Sequence, residues 1–170
     1  MGRASAAVLV AVAAFSAVTS IRAATQSAAK TRAVSIYAPR GAESTCAHVL
    51  PLKRLVDARA PLKGAVRALL EGPTKTERAH GYDGWFSPRT AGHLRSVRIA
   101  RGVAYIDFHS FARDIPNASS SCGSTLLLAQ LDRTALQFSS VKRTVYSFDG
   151  SAAAFYEWLQ RRAPTTAPAL

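Results

Sequence analysis

The chain has 170 residues, of which 48% are hydrophobic and 19% are charged, and this composition excludes an intrinsically disordered protein. The length is sufficient for one domain with a sizeable hydrophobic core. The formal net charge of +12 favours an anionic neighbour, but it does not identify the chemistry of that neighbour.

The first 24 residues have the pattern of a secretory signal peptide. Arg3 gives a short positive start, an uncharged apolar run follows over residues 6–18, and Ala23 and Ala24 lie at a plausible cleavage point. The apolar run is shorter than a membrane-spanning helix needs, and an uncleaved membrane anchor is the alternative. We therefore expect a secreted, extracytoplasmic protein in which residues 25–32 form a flexible lead-in.

Two strands and a helix are predicted next. Residues 33–38 alternate apolar and polar side chains, and residues 49–56 give a second strand in which Pro51 indicates a strand start or a sheet edge. The helix is predicted for residues 61–71, since a proline opens it and a Gly-Pro pair follows it. Its apolar stripe consists of Leu62, Val66, Leu69 and Leu70. Residues 74–80 predict a further short helical turn.

Residues 94–108 predict a β-hairpin with a two-residue turn at Arg101-Gly102. Pairing Ala100 with Val103 places four apolar residues on one face, namely Val97, Ile99, Ala104 and Ile106. The other face is polar and carries Ser96, Arg98, Tyr105 and Asp107. Because a hairpin is not stable alone in water, we expect the helical stripes to cover its apolar face.

The rest of the chain predicts a helix, a strand and a helix. The long helix covers residues 121–138, the strand covers residues 144–148, and a C-terminal helix covers residues 151–162 before a mobile tail at residues 163–170. The order predicts one α+β domain over residues 33–150, with a mostly antiparallel sheet and two main helices on one of its faces.

The chain has two cysteines, Cys46 and Cys122, and both follow the predicted signal peptide. An even number of cysteines favours a disulfide in an oxidising compartment, and only one pairing within the chain is available. Two unpaired thiols are the alternative, and Cys122 as a nucleophile with one of the histidines is less well supported.

Catalytic and cofactor-binding patterns are weak in this sequence. The four histidines, His48, His80, His93 and His109, lack metal-ligand spacing, and neither a Gly-x-Ser-x-Gly motif nor a glycine-rich phosphate loop occurs. Asp107 and Asp149 lie at strand ends, where a carboxylate pair can act as acid and base, but turn formation explains Asp149 equally well and Asp107 belongs to the polar face of the hairpin. We therefore predict no metal, no small-molecule cofactor and no enzymatic activity.

Basic residues occur in three local groups: Lys53-Arg54, then Arg95, Arg98 and Arg101, then Lys142-Arg143. If these groups converge, they could bind an anionic cell-wall polymer or lipid headgroups, whereas the alternative is a solvated surface. A nucleic-acid partner is not expected of an exported chain. The candidate interaction surface is Arg95, Arg98, Arg101 and Tyr105.

Four segments match a family in the right order: residues 68–77 (ALLEGPTKTE), 96–108 (SVRIARGVAYIDF), 128–138 (LAQLDRTALQF) and 141–150 (VKRTVYSFDG). Together they resemble the GerMN domain of spore-germination GerM-type proteins and of several actinobacterial envelope lipoproteins. The resemblance implies a compact α+β fold, similar to the ring-building modules of secretion and sporulation complexes. It also implies a role in protein assembly at the cell envelope.

The resemblance carries over no catalytic residues. Its motif residues are expected to be structural: Gly72, Pro73, Thr74, Glu77, Gly81, Gly102, Phe108, Gln130, Thr134, Phe138, Asp149 and Gly150. The sequence thus predicts a non-enzymatic module that interacts with an envelope protein. A basic domain that binds anionic envelope material is the second prediction, and a small envelope hydrolase is the third.

Overall fold

The computed structural model describes residues 30–41 and 45–165, together with Gly2. Its elements in chain order are β1 (Thr31–Ala38), β2 (Leu50–Asp57), α1 (Pro61–Glu71), α2 (Lys75–Ala79), β3 (Leu94–Ala100), β4 (Val103–Phe108), a 3₁₀ turn (Pro116–Ser119), α3 (Ser121–Leu136), β5 (Arg143–Phe148) and α4 (Ala152–Trp158). The predicted α+β class is confirmed. Apart from Gly2, the predicted signal peptide lies outside the described residues.

The strands form two sheets. Strands β1 and β2 make an antiparallel pair, and β3, β4 and β5 make a three-stranded sheet in that order. Strand β3 is antiparallel to β4, whereas β5 is parallel to β4. A parallel neighbour needs a long crossover connection, and helix α3 lies in that connection between β4 and β5. The division into two sheets and the parallel pair were not predicted.

Three predicted boundaries are corrected by the structure. Thr31 and Arg32 were assigned to the flexible lead-in, but they pair with Asp57 and Val56 and belong to β1. The C-terminal helix was predicted to continue to residue 162, and α4 ends at Trp158. Just beyond it, the backbone takes a positive φ of 54° at Gln160, which a continuing α-helix does not allow. The long helix likewise ends at residue 136 rather than 138.

Both helices that follow the hairpin, α3 and α4, pack on one face of the three-stranded sheet. Phe155 of α4 is fully buried, and its ring lies 6.2 Å from that of Phe108 and 5.0 Å from that of Phe148. Helix α3 contributes Asp132, which accepts a hydrogen bond of 2.7 Å from the hydroxyl of the buried Tyr146. Burial raises the pKa of Tyr146 well above its ordinary value, so this phenol stays neutral. We call this side of the sheet the dry face.

The segment after α1 is fixed by glycine, a cap and an ion pair. Gly72 has a φ of 74°, and a Cβ atom there would lie 2.1 Å from the carbonyl oxygen of Phe86, so no larger residue fits. Thr74 and Glu77 form a reciprocal capping box at the start of α2. The Glu77 carboxylate also accepts two hydrogen bonds of 2.7 Å from Arg54 on β2. These contacts join the α1–α2 turn to the two-stranded sheet.

Gln130 of α3 holds two neighbouring segments together. Its Oε1 accepts a hydrogen bond of 3.2 Å from the backbone of Trp85, and its Nε2 donates to the Tyr37 carbonyl at the same distance. Gly84 leaves room for this amide, since a Cβ there would lie 2.5 Å from Gln130 Nε2. Other motif residues lie in the core (Phe108, Thr134 and Phe138) or at positive φ in turns (Gly81, Gly102, Asp149 and Gly150).

A disulfide joins Cys46 to Cys122, with their Cα atoms 4.9 Å apart. It connects the segment before β2 to the first turn of α3. The predicted pairing is therefore present, and Cys122 cannot be a free nucleophile in this form of the protein.

Candidate interaction surface

The second face of the three-stranded sheet faces away from α3 and α4. Two rows of side chains cross it from β3 to β5: Ser96, Asp107 and Ser147 form one row, and Arg98, Tyr105 and Val145 form the other. The described side-chain contacts of α3 and α4 with this sheet go to the dry face instead. We call this second side the open face.

A tight turn fixes the register of the hairpin that carries this face. Arg101 and Gly102 have φ angles of 50° and 75°, which are the left-handed values of a type I′ turn. Ala100 pairs with Val103 as predicted, so the side chains alternate between faces as the sequence indicated. Arg101 takes a left-handed backbone conformation although it is not glycine. The next residue, Gly102, takes the second left-handed conformation of the turn without a steric clash, because it has no Cβ atom.

Arg98 and Tyr105 form the centre of the open face. They are cross-strand partners, and the guanidinium carbon of Arg98 lies 4.4 Å from the centroid of the Tyr105 ring. Arg98 is exposed and Tyr105 is half-buried. The position of the guanidinium over the ring is typical of a cation–π interaction. This pair can bind a carboxylate or an aromatic ring of a partner.

Unlike Arg98, Arg95 contacts acidic side chains. It lies at a β-bulge between Leu94 and Ser96, and its Nη1 donates a hydrogen bond of 2.5 Å to Asp107. Its Nε lies 3.6 Å from Asp149. Arg95 is therefore neutralised locally, at the opposite end of the hairpin from Arg101, and contributes less to a positive surface than its sequence position indicated.

Asp107 organises this end of the open face. Its Oδ1 accepts hydrogen bonds from the Ser147 hydroxyl at 2.6 Å and from the Gly150 backbone at 2.8 Å. Burial raises the pKa of Asp107, but these hydrogen bonds and the Arg95 charge outweigh it, and the pKa is lowered overall. The carboxylate is therefore ionised at neutral pH and fixes the β4–β5 end of the sheet. Its partners leave it no role as a general acid.

Members of two of the three basic groups come together at the hairpin tip. The backbone N–H groups of Lys142 and Arg143 both donate to the Gly102 carbonyl, at 2.7 and 3.1 Å. This places Lys142 and Arg143 beside Arg101. The third group lies on the other sheet, where Arg54 is paired with Glu77. The sequence could not show which basic residues come together, because the position of β5 beside β4 depends on the crossover through α3.

Two of the four histidines, His93 and His109, lie close to aspartates. His109 Nδ1 lies 3.1 Å from Asp149, and His93 Nε2 lies 3.4 Å from Asp114. Within residues 30–41 and 45–165, no group of three or more histidine, cysteine or acidic side chains has the arrangement of a metal site. No helix in the part of the chain that the structure describes is long and apolar enough to cross a membrane.

The fold and this surface define a small α+β domain with one β-sheet face that none of the described helices covers. A family profile described as "Germane: Sporulation and spore germination" matches residues 35–154, which is more than half of the chain. The chain belongs to this family, and the resemblance seen in the four sequence segments is confirmed. No curated protein matches the chain.

Two solved structures are similar to this chain. The tandem GerMN domains of the sporulation protein GerM from Bacillus subtilis match with a TM-score of 0.52 and 17% identity, over 71% of this chain. This chain spans 40% of the length of that tandem-domain chain. A putative lipoprotein from Clostridium perfringens matches with a TM-score of 0.35 and 18% identity, over 71% of this chain and 76% of that one. The first likeness supports the GerMN fold.

Proposed function

We propose that this protein is a non-enzymatic interaction module that assembles with another protein outside the cytoplasm, at the bacterial cell envelope. The observation that carries the proposal is the open face itself. A stacked Arg98–Tyr105 pair, fixed by a type I′ hairpin, lies at its centre. Arginine and tyrosine are enriched among the residues that dominate binding energies at protein interfaces.

Two further observations support the proposal. The Cys46–Cys122 disulfide suits an oxidising compartment, which is where an exported protein folds. The family is defined by sporulation and spore germination, and the similar Bacillus subtilis protein is a sporulation protein. Membership alone does not specify the partner or the process, because domains of one fold serve different functions.

A capture experiment with matched variants tests this function. The full chain, immobilised through its C-terminus, is incubated with envelope extract from its host, beside Arg98→Glu and Arg67→Glu variants. Arg67 is an exposed arginine on α1, away from the open face, and therefore controls for the change in charge. We expect a protein that the wild type and Arg67→Glu retain and that Arg98→Glu loses. Equal capture by all three, or no specific capture, would contradict the proposal.

The basic residues at the hairpin tip favour a second candidate function, the binding of an anionic envelope polymer or lipid headgroups. Lys142 and Arg143 lie beside Arg101 at the tip, and Arg98 is nearby on the open face. Such binding is electrostatic and weakens strongly as the salt concentration rises. It differs from the first candidate in that no shape-specific pocket or stacked ring is required.

Cosedimentation with purified cell wall tests this second candidate. Binding is expected to fall steeply with added salt and to be lost when Arg98, Lys142 and Arg143 are all changed to glutamine. An Arg95→Gln variant is the control, since Arg95 is already paired with Asp107. Binding that survives both high salt and the triple change would exclude this candidate. No described feature favours the hydrolase, and we do not propose it.

A further inference from the structure

A groove lies between the free side of β3 and the start of α1. Its apolar surface comes from Val97 and Ile99 of β3, Leu62 of α1 and Phe138 just after α3. The sequence placed Val97 and Ile99 on the covered face of the hairpin. The structure corrects this for Ile99, whose side chain is 42% exposed, whereas its cross-strand partner Ala104 is fully buried. The helical cover therefore reaches Val97 but ends before Ile99.

The backbone of β3 is also available along this groove. In a two-residue hairpin the closing pair, Ala100 and Val103, exchanges hydrogen bonds, and such pairs alternate with non-hydrogen-bonded pairs along the ladder. Val97 and Ile99 belong to the non-bonded pairs, so their N–H and C=O groups point outward. Strand β3 is an edge strand of its sheet, and no described strand pairs with that side. The same two residues thus offer outward backbone groups and apolar side chains.

The charges around the groove have one sign. Arg32, Arg59 and Lys63 contribute to its lining, and no acidic residue does. None of the three forms an ion pair with a described residue, and Arg32 lies 5.7 Å from the centroid of the Phe138 ring. On the other face of β3, Arg98 is exposed and its guanidinium lies over the Tyr105 ring of β4. The three cations beside the groove make the potential along this edge of the sheet positive, which favours an acidic occupant.

From this combination we propose that β3 accepts a strand from an acidic partner protein, which adds to the sheet as a fourth strand. The partner segment is extended and alternates apolar side chains with carboxylates. Its apolar side chains fill the groove over Leu62 and Phe138, and its carboxylates point to the open face, which carries Arg98. Main-chain hydrogen bonds to Val97 and Ile99 supply affinity, and the alternating side chains supply specificity. This inference rests on the proposed interaction role and names the chemistry of the partner.

A second copy of this chain fits the groove poorly. Antiparallel pairing of two β3 strands through Val97 and Ile99 places Arg98 of one copy opposite Arg98 of the other. Like charges directly opposite each other destabilise a strand pair. Each copy also has a formal charge of +12, which opposes association at low salt.

Synthetic peptides test the proposal directly. The probe is a capped nine-residue peptide that alternates glutamate with valine or isoleucine, and its affinity for the full chain is measured by fluorescence anisotropy at low salt. A peptide with lysine in place of glutamate tests the charge. A glutamate peptide that is N-methylated at alternate residues keeps its side chains but cannot donate to a strand edge, so it tests the backbone pairing.

The matched protein variants are Ile99→Glu and Leu55→Glu. Both replace an exposed apolar side chain, and Leu55, which is 76% exposed, lies on β2 of the other sheet. We expect Ile99→Glu to weaken binding of the glutamate peptide by about tenfold or more, as for the loss of one central interface residue. Leu55→Glu should bind as the wild type does. Circular dichroism checks that both variants are folded.

Four results would overturn the inference. Equal affinity for the lysine peptide or for the N-methylated peptide would exclude an acidic added strand. A concentration-dependent dimer that Ile99→Glu dissociates, seen by sedimentation, would assign the groove to a second copy. Binding to anionic lipid vesicles that Ile99→Glu abolishes would assign it to a membrane surface.

The two proposals can also fail separately. If a captured partner is lost with Arg98→Glu but kept with Ile99→Glu, the interaction role stands and the added strand is excluded. If the glutamate peptide binds as expected but no envelope protein is captured, the proposed strand-binding site at the groove is supported and the proposed envelope role is excluded.

Discussion

The two faces of the three-stranded sheet are built from the same strands but differ in what they contact. The dry face carries rings of Phe108, Tyr146 and Phe148 against α3 and α4, and all three residues are buried. The open face carries Arg98, Tyr105 and Asp107, which are held by stacking and hydrogen bonds rather than by helices. Since side chains alternate along each strand, one short sequence specifies both faces.

The difference indicates where stability and binding reside. Removing a buried ring leaves a cavity that the packed core cannot close, and the free energy of unfolding falls by several kcal/mol. Removing an exposed side chain leaves no cavity and has little effect on folding. Mutations on the two faces should therefore separate stability from binding, and the predictions below run from the largest effect to the smallest.

The largest effect is expected for Phe155→Ala. This fully buried ring of α4 contacts rings from both β4 and β5, and its truncation should lower the free energy of unfolding by about 3–5 kcal/mol. The measurement is urea denaturation followed by circular dichroism. Tyr105→Ala on the open face is the control, with a loss of about 1 kcal/mol. Similar losses for the two variants would contradict the division between the faces.

The disulfide should have the second largest effect. It tethers the segment before β2 to the start of α3, one of the helices that cover the dry face. Replacing Cys46 and Cys122 with alanine should lower the free energy of unfolding by about 3 kcal/mol, since the unfolded chain regains the entropy of a long loop. Thermal unfolding of the variant beside the oxidised and reduced wild type measures this. Coincident transitions of the oxidised and reduced forms would show that the tether is not stabilising.

Acid should weaken the open face through Asp107. The pKa of Asp107 is lowered in the folded state, so its contribution is present above its ordinary pKa and is lost as the pH falls through the lowered value. Asp107→Asn should cost about 1–3 kcal/mol at pH 7 and should flatten the acid limb of the stability curve. Tyr146→Phe on the dry face should leave the shape of that limb unchanged. Parallel curves for wild type and Asp107→Asn would contradict this role.

Glu77 should add to the same acid limb from another part of the molecule. Hydrogen bonding to Arg54 lowers its pKa from 4.5 to about 2. Its stabilising contribution is therefore complete above about pH 4.5 and disappears as the pH falls towards 2. Glu77→Gln should remove that part of the pH dependence, which urea titrations between pH 2 and 7 measure. The double variant with Asp107→Asn should show the two losses added together, because Glu77 on α2 and Asp107 on β4 share no partner residue.

The smallest effect on folding is expected for Arg98→Gln. The side chain is exposed and stacks on one ring, so the free energy of unfolding should change by less than about 1 kcal/mol. Arg95→Gln breaks contacts with Asp107 and Asp149 and should cost somewhat more. Urea denaturation of both variants tests the order. A larger loss of stability for Arg98→Gln than for Arg95→Gln would show that Arg98 stabilises the fold and would contradict its assignment to the binding surface.

The hairpin shows how much of the fold could be predicted from the sequence. Alternation over residues 94–108 and the Arg-Gly turn specify its register, because a one-residue slip would bury arginine. The parallel β5 could not be predicted in the same way. The strand with which β5 pairs is determined by how α3 crosses the sheet. This depends on tertiary packing and leaves no local pattern in the sequence of β5.

The surface was less predictable than the fold. The sequence grouped Arg95 with Arg98 and Arg101, but a bulge directs Arg95 to Asp107, and ion pairs between distant segments have no spacing rule. Ile99 was assigned to the core because the alternation of apolar and polar residues identifies the face on which a side chain lies. It does not show where the helices that cover this face end. The groove was missed for the same reason, since its lining comes from four separate segments.

The central claim is that the face of this sheet that carries Arg98 binds a partner protein. The most direct test is the dissociation constant of the Arg98→Glu variant for the envelope protein that the wild type captures, measured with the free energy of unfolding of the same variant. We predict affinity weaker by about tenfold or more and a free energy of unfolding within about 1 kcal/mol of the wild type. Unchanged affinity in this stably folded variant would contradict the account.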